Sequence, residues 1–127
     1  MKAMRPFVFL LFFLPVFSFA DGFDDVVNAL KNGNASAVGR FFNSNVELTL
    51  LENEGVYSKQ QAEIMLKTFF NQHPAKNVSI QHRGASSQGA RYAIAVYEAS
   101  DGRFRAYIFM KDAGQGLLIH ELRIERE

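Results

Sequence analysis

The C-terminal stretch at residues 91–125 decides the fold, and it reads RYAIAVYEASDGRFRAYIFMKDAGQGLLIHELRIE. Apolar and polar side chains alternate along it, and this period of two is typical of strands that are buried on one face. Asp101-Gly102 predicts a two-residue hairpin turn, which would place Val96 opposite Tyr107. We therefore predict an antiparallel β-meander, with small side chains opposite large ones on its buried face.

The alternation assigns each side chain of the meander to one of two sheet faces. The first face is almost wholly apolar and needs helices over it. With a turn at Gln88-Gly89 and a three-residue loop at 114–116, its predicted members are Val78, Ile80, His82, Ala93, Ala95, Tyr97, Ala99, Phe104, Ala106, Ile108, Met110, His120, Leu122 and Ile124. A two-residue loop at 114–116 would instead turn Glu121 and Arg123 inward, which is costly for charged groups.

The second face combines aromatic, aliphatic and charged side chains. Its predicted members are Arg83, Tyr92, Ile94, Val96, Glu98, Arg105, Tyr107, Phe109, Glu121, Arg123 and Glu125. Aromatic anchors with an arginine and glutamate rim are typical of a protein–protein interface. We therefore predict a homodimer through this face, with the interface candidates Tyr92, Val96, Arg105, Tyr107, Phe109 and Arg123. The alternative is an open face with solvated ion pairs.

Two short helices are predicted at the start of the mature chain. The first begins at Asp21, carries apolar side chains at helical spacing and ends at Gly33. Asn34 then caps a second helix. The predicted buried side chains of the second helix are Val38, Phe41 and Phe42.

A hairpin and a longer helix follow. Alternating residues at Val46–Leu51 predict a strand that returns through a turn at Glu52–Gly55. Ser58 with Gln61 three residues later is typical of a capping box, and the helix that it begins must end near His73, because Pro74 disfavours helical geometry in the residue before it. His73 needs no further role there, since a cation is favourable at a helix C-terminus.

The first 20 residues have the pattern of a signal peptide. Lys2 and Arg5 precede an apolar run at Phe7–Phe17, and small Ser18 and Ala20 follow. We expect cleavage after Ala20, which leaves residues 21–127 as a single domain. The run is shorter than the roughly 20 residues of a membrane span, so no stable span is expected after removal, although an uncleaved anchor is the alternative. Small secreted domains of eukaryotes usually depend on disulfides, and this chain has no cysteine, so we expect the exported protein to be bacterial and periplasmic or extracellular.

The charge balance argues against a nucleic-acid partner. The chain has 14 Lys and Arg against 13 Asp and Glu, and loss of the two leader cations changes 14 − 13 = +1 to 12 − 13 = −1. Nucleic-acid binders usually carry a clear excess of basic residues on one face.

The order of elements resembles the nuclear transport factor two-like fold, a cone of helices on a strongly curved antiparallel sheet. Several segments are similar to the exported bacterial domain-of-unknown-function family 4783, namely YSKQQAE at 57–63, the pair Phe69-Phe70, GARYAI at 89–94, FRAYI at 104–108 and ELRIE at 121–125. The resemblance implies an α+β cone over residues 21–127. It implies no reaction, substrate or catalytic residue.

The interior of such a cone is the predicted ligand pocket. Its candidate lining residues are Tyr57, Phe70, His82, Tyr97, Phe104, Met110 and His120. No carboxylate is predicted to point inward, whereas isomerase-like chemistry needs a carboxylate base beside an oxyanion donor. We expect no metal site, because His82 and His120 lie on separate strands without a third ligand, and we expect no cofactor.

Three functional hypotheses follow. The first is an exported, non-catalytic module that dimerises through the second face and holds a small apolar ligand or a peptide in the cone. The second is an isomerase- or lyase-like enzyme that uses His82, His120 or Tyr97. The third is a purely structural domain whose cone is filled completely by Phe70, Tyr97, Phe104 and Met110, which leaves only protein partners.

Overall fold

The computed structural model describes residues 22–112, 114 and 116–127. The predicted leader, the cleavage after Ala20 and the helix cap at Asp21 lie outside these residues. The elements, in chain order, are α1 (Phe23–Lys31), α2 (Ala35–Gly39), β1 (Phe42–Leu50), β2 (Asn53–Ser58), α3 (Lys59–Gln72), β3 (Ala75–Ala85), β4 (Arg91–Ala99), β5 (Gly102–Asp112) and β6 (Leu117–Arg126). A short 3₁₀ turn at Ser87–Gly89 joins β3 to β4.

The six strands form one sheet in the order β2-β1-β6-β5-β4-β3. Each neighbouring pair is antiparallel except β1 and β6, which run parallel. The prediction of an α+β fold is confirmed, but the prediction of a purely antiparallel sheet was wrong. β1 and β6 come from opposite ends of the domain, and local turn signals carry no information about such a long-range pairing.

The helices form where the capping signals place them. Asn34 Oδ1 accepts a hydrogen bond of 3.0 Å from Ala37 N, and Ser58 Oγ accepts one of 3.2 Å from Gln61 N, so both predicted caps are confirmed. α3 ends with His73 as its C-terminal cap, also as predicted. Phe42 was assigned to the second helix and instead begins β1, where it is 2% exposed.

α1 and α3 cover one face of the sheet, and α2 packs against both of these helices. α1 packs on β3 and β4, while α3 packs on α2 and β1. No helix in the described part of the chain is long and apolar enough to cross a membrane.

The β4–β5 register differs from the prediction by two residues. The loop is Ser100-Asp101, so that Ala99 pairs with Gly102 and Val96 pairs with Arg105, not with Tyr107. A shift of two leaves every side chain on its predicted face, which is why the alternation cannot distinguish the two registers. The predicted pairing of small with large side chains was wrong: Ala95 lies opposite Ala106 and Tyr97 opposite Phe104.

The β1–β2 turn is also shorter than predicted. Leu50 pairs with Asn53, so the turn is Leu51-Glu52 and does not extend to Gly55. Leu51 has a φ of 59°, in the left-handed region that a branched side chain rarely adopts.

Two β-bulges bend the sheet and move both predicted pocket histidines. In β3 a bulge between Ile80 and His82 brings His82 opposite Ile94, on the outer face. In β6 His120 is the extra residue between Ile119, which is fully buried, and Glu121. The inward placement of His82 was therefore wrong, and Ile119 takes the inward position that was predicted for His120, because one inserted residue reverses which side chains face the core.

The bulge in β3 also changes the position of Arg83. Arg83 was predicted on the second face, but it points toward the helices and its Nη2 donates to Asp24 Oδ1 of α1 at 2.8 Å. Where β5 and β6 meet their connecting segment, Asp112 pairs with Leu117, one position away from the predicted register. The bulge at His120 offsets this difference and restores the predicted pairing of Ile108 with Leu122.

Candidate functional site

The cone interior is filled by side chains. Tyr97, Phe104 and Met110 are fully buried, and Phe70 is 5% exposed. The rings of Phe69, Tyr97 and Phe104 pack edge to face, with centroid distances of 5.6 to 5.8 Å. Of the predicted pocket residues, the structure thus brings together Phe70, Tyr97 and Phe104 and places His82 on the outer face. Their role in ligand binding stays a prediction.

The two remaining pocket candidates lie at the edge of this core. Tyr57 is half-buried and packs against the core cluster. His120 is also half-buried, and its Nε2 atom is enclosed without a hydrogen-bond partner among the described residues. Burial, with a smaller effect from Lys111, lowers the pKa of His120. A neutral imidazole is therefore favoured at the bulge.

Tyr97 uses its hydroxyl group inside the core. The hydroxyl donates a hydrogen bond to the main-chain oxygen of His73, at the end of α3. Burial, and then the negative charge of Asp101, raise the pKa of Tyr97 to about 12. The phenol therefore stays protonated near neutral pH and serves as a link between β4 and α3.

His73 and Asp101 form a contact that the sequence analysis missed. His73 Nδ1 lies 2.7 Å from Asp101 Oδ2, and the imidazole, 8% exposed as a residue, packs at 4.8 Å from Phe69 and 5.1 Å from Phe104. Asp101 also lies 3.6 Å from Nη2 of Arg126. One sequence feature could have indicated this contact, namely the turn between β4 and β5. Asp101 lies in that turn, outside the strand pairing, so its carboxylate is free to reach the end of α3.

The pKa of Asp101 predicts how stability changes with pH. Desolvation alone would raise this pKa, but the hydrogen bond and charge of His73, a hydrogen bond from its own main chain and the charge of Arg126 lower it below its usual 3.8. Asp101 therefore stabilises the fold fully above pH 3.8, and this contribution is lost as the pH falls through the lowered value.

This pH dependence is measured by urea unfolding of the wild type and Asp101→Asn. We expect the wild type to be more stable at pH 6 and the difference to shrink below about pH 4. A difference that stays constant down to pH 2 would contradict the assignment of this effect to the carboxylate.

A surface cleft lies outside the predicted pocket, with a volume of about 810 Å³. The cleft is open to solvent and is bounded by α3, the β1–β2 turn and the C-terminal end of β6. Its lining residues are Leu50, Leu51, Glu52, Asn53, Ile64, Met65, Thr68, Phe69, Gln72, Glu125 and Arg126. None of the predicted pocket residues lines it, because the sequence pattern gave no indication that β1 and β6 are neighbours.

The second face of the meander forms what we call the outer sheet face, a row of contacts across β3, β4, β5 and β6. His82 Nε2 lies 3.1 Å from the Tyr92 hydroxyl, and the Tyr92 and Tyr107 rings are 6.2 Å apart. The Arg123 guanidinium lies 5.5 Å from the Tyr107 ring centroid and is hydrogen-bonded to Glu121. Burial, and then Glu121, raise the pKa of Tyr107.

The predicted interface residues therefore share one sheet face, although Val96 itself is buried. Tyr92, Tyr107, Phe109 and Arg123 are half-buried there, Arg105 is exposed and Val96 is 3% exposed. Tyr92 lies flat on Gly84, since a Cβ atom at Gly84 would stand 2.3 Å from the ring. A glycine at this position is thus required for the ring to lie on the sheet.

Among the described residues no three side chains are grouped as metal ligands.

Helices packed on a curved mixed sheet define a protein of the cystatin-like and nuclear transport factor two-like class. A domain of unknown function with a cystatin-like fold from Nostoc punctiforme is similar, with a TM-score of 0.66 and 10% identity, over 83% of this chain and 72% of that one. This likeness shows the fold alone.

Within this class, the chain belongs to the family Domain of unknown function (DUF4783), which matches residues 23–125. Crystal structures of family members are similar throughout. The protein from Bacteroides fragilis has 25% identity and a TM-score of 0.76, over 81% of this chain and 96% of that one. The protein from Bacteroides uniformis has 23% identity and a TM-score of 0.77, over 82% and 95%. No curated protein matches the chain.

Proposed function

We propose that this protein is an exported, non-catalytic binding module that forms a homodimer through the outer sheet face. The observation that carries the proposal is the row of contacts from His82 through Tyr92 and Tyr107 to Arg123. Tyrosine and arginine dominate the binding energy of many interfaces, and rings already held in place lose little conformational entropy on binding.

The charges on this face favour a second copy of the chain as the partner. Arg105 and Arg123 lie on the same face as Glu47 and Glu125, and all four side chains are at least partly exposed. In a two-fold contact each surface meets its own copy, so that a face with both signs of charge can place arginine opposite glutamate.

The filled cone weighs against catalysis inside it and leaves binding to the outer sheet face. Large side chains fill the cone, and the Tyr97 hydroxyl donates to a main-chain oxygen. One observation favours the alternative of an isomerase- or lyase-like enzyme, namely the His73–Asp101 pair, because a carboxylate that orients a histidine is common in acid–base catalysis. His73 lies between two phenylalanine rings, which supports a structural role for the pair.

The dimer is tested by light scattering and sedimentation of residues 21–127. We expect a dimer at micromolar concentration and a folded monomer for Tyr107→Glu, which puts a charge at the centre of the face. Ile64→Glu is the matched control, because Ile64 is 67% exposed on α3, on the opposite side of the sheet. A monomeric wild type, or equal dissociation of both variants, would contradict the proposal.

Export is tested separately. A bacterial host that expresses the full chain should yield periplasmic protein with Asp21 at its N-terminus. A protein that retains Lys2 in the membrane fraction would instead support the uncleaved anchor.

A further inference from the structure

The cleft between α3, the β1–β2 turn and the end of β6 has an apolar floor. Phe69 and Leu50 are buried at its base and Met65 is half-buried. Ile64 lies at the edge of the cleft and is 67% exposed, whereas most other large apolar side chains in the described part of the chain are buried or half-buried. An exposed apolar side chain beside an apolar cleft is typical of a site that covers it on binding.

The cleft also has a sheet edge. β1 pairs with β6 only as far as Leu50 and Ile124, and Leu51 N then donates to Ile124 O at 2.9 Å as the β1 chain turns away. β6 continues to Arg126 and pairs there with β5 alone. Within the described residues, Arg126 has no neighbouring strand on the side of β6 that faces the cleft, whereas the main-chain groups of Glu125 face β5. Such an edge can accept the main chain of an extended peptide.

Charge in the cleft favours a cation. Glu52 lines the cleft, is exposed and forms no ion pair within 4.0 Å among the described residues. Glu125 also lines the cleft, but its side chain lies on the outer sheet face, opposite Arg105. Arg126 is already engaged, because it lies 3.6 Å from the Asp101 carboxylate and 4.7 Å from the Phe104 ring centroid. Because the guanidinium is already engaged by Asp101, Glu52 is left to attract a cationic side chain at the cleft.

The β1–β2 turn that carries Glu52 has an unusual main chain. Leu51 has a φ of 59° and is not a glycine, so the turn is held in a conformation that disfavours its own residue. Strain of this kind is frequent at binding sites. Here the turn places Leu51 and Glu52 at the cleft, where both line it.

We infer that this cleft binds an extended cationic peptide segment. The peptide main chain pairs with Arg126 at the edge of β6, an apolar side chain packs on Phe69 and Met65, and a lysine or arginine meets Glu52. The inference rests on the binding role proposed above and requires neither the dimer nor the leader.

Two synthetic heptapeptides test this site by calorimetry with residues 21–127. One alternates lysine with leucine, and the other has glutamate in place of each lysine. We expect binding of the lysine peptide only, with weaker affinity as salt rises. A third peptide, N-methylated at alternate positions of the lysine sequence, should lose at least about tenfold in affinity, because it cannot donate to the β6 edge.

Matched variants locate the site. Ile64→Lys should weaken binding of the lysine peptide by at least about tenfold, since it replaces the apolar side chain at the edge of the cleft with a repelling charge. Val56→Lys is the matched control, because Val56 is 66% exposed, nearly the same as the 67% of Ile64, and lies away from the cleft. This variant should leave the affinity for the lysine peptide unchanged. Glu52→Gln should weaken binding, whereas Glu47→Gln, an exposed glutamate on the outer sheet face, should not.

Each remaining outcome overturns the inference. Failure of the lysine peptide to bind at millimolar concentration, or equal affinity for the glutamate peptide, overturns the ligand class. Equal losses in Ile64→Lys and Val56→Lys overturn the location. Light scattering on the same samples separates this inference from the proposed dimer. A monomer that binds the lysine peptide supports the peptide site and refutes the dimer. A dimer that does not bind the peptide supports the dimer and refutes the peptide site.

Discussion

Phe104→Ala is expected to lower the free energy of unfolding by about 3–5 kcal/mol, the range for removal of a fully buried phenylalanine. Phe104 has no exposed surface and packs against the rings of Phe69, Tyr97 and His73. Arg126 covers its remaining side. The cavity cannot close easily, because its walls belong to α3, β4 and β6 at once.

Urea unfolding measures this loss, and a half-buried phenylalanine is the control. Phe41 lies between α2 and β1 and is only partly covered by the core. Phe41→Ala should cost about 1–2 kcal/mol, in proportion to its smaller buried area. Equal losses in the two variants would mean that the rings around Phe104 are not the centre of the core.

Tyr97→Phe is expected to lower the free energy of unfolding by about 1–3 kcal/mol, although it removes a single oxygen atom. That hydroxyl donates to the main-chain oxygen of His73, and the residue is fully buried. Without it the carbonyl group at the end of α3 has lost its partner inside the core, where desolvation is costly.

The same variant has a signature at alkaline pH. Because the pKa of Tyr97 is raised from 10.0 to about 12, the folded state keeps this proton while the unfolded state releases it. Wild-type stability should therefore fall between pH 10 and 12, and Tyr97→Phe should reduce that fall. Tyr92→Phe is the control, since the Tyr92 hydroxyl makes an exposed contact with His82 and its loss should change stability little. Equal effects in the two variants would refute the buried link.

Local signals predicted the local structure of this chain well. The caps at Asn34 and Ser58 depend on side-chain oxygens that reach amides three residues away, and the sequence alone shows that spacing. The division of the meander into an apolar and a mixed face depends on the alternation of side chains. That division stays correct when the predicted strand register is wrong by two residues. Those two features, with the segments quoted above, suffice for the fold class and the family.

The histidines show where such reasoning stops. A β-bulge adds one residue that does not alter composition or periodicity, yet it moved His82 to the outer face and Ile119 into the place predicted for His120. His73 was predicted as a helix end without a further role, and its contact with Asp101 joins residues that lie 28 positions apart. Neither result is visible in a pattern of neighbouring residues.

The sequence by itself determined where the helices are capped, how the side chains of β4 and β5 divide between the two faces and which family the chain belongs to, because each of these depends on residues a few positions apart. Only the tertiary structure decided that β1 runs parallel to β6, that aromatic rings fill the cone and that a cleft opens beside α3. These features depend on contacts between distant segments, whose geometry is set by the packing of the whole core.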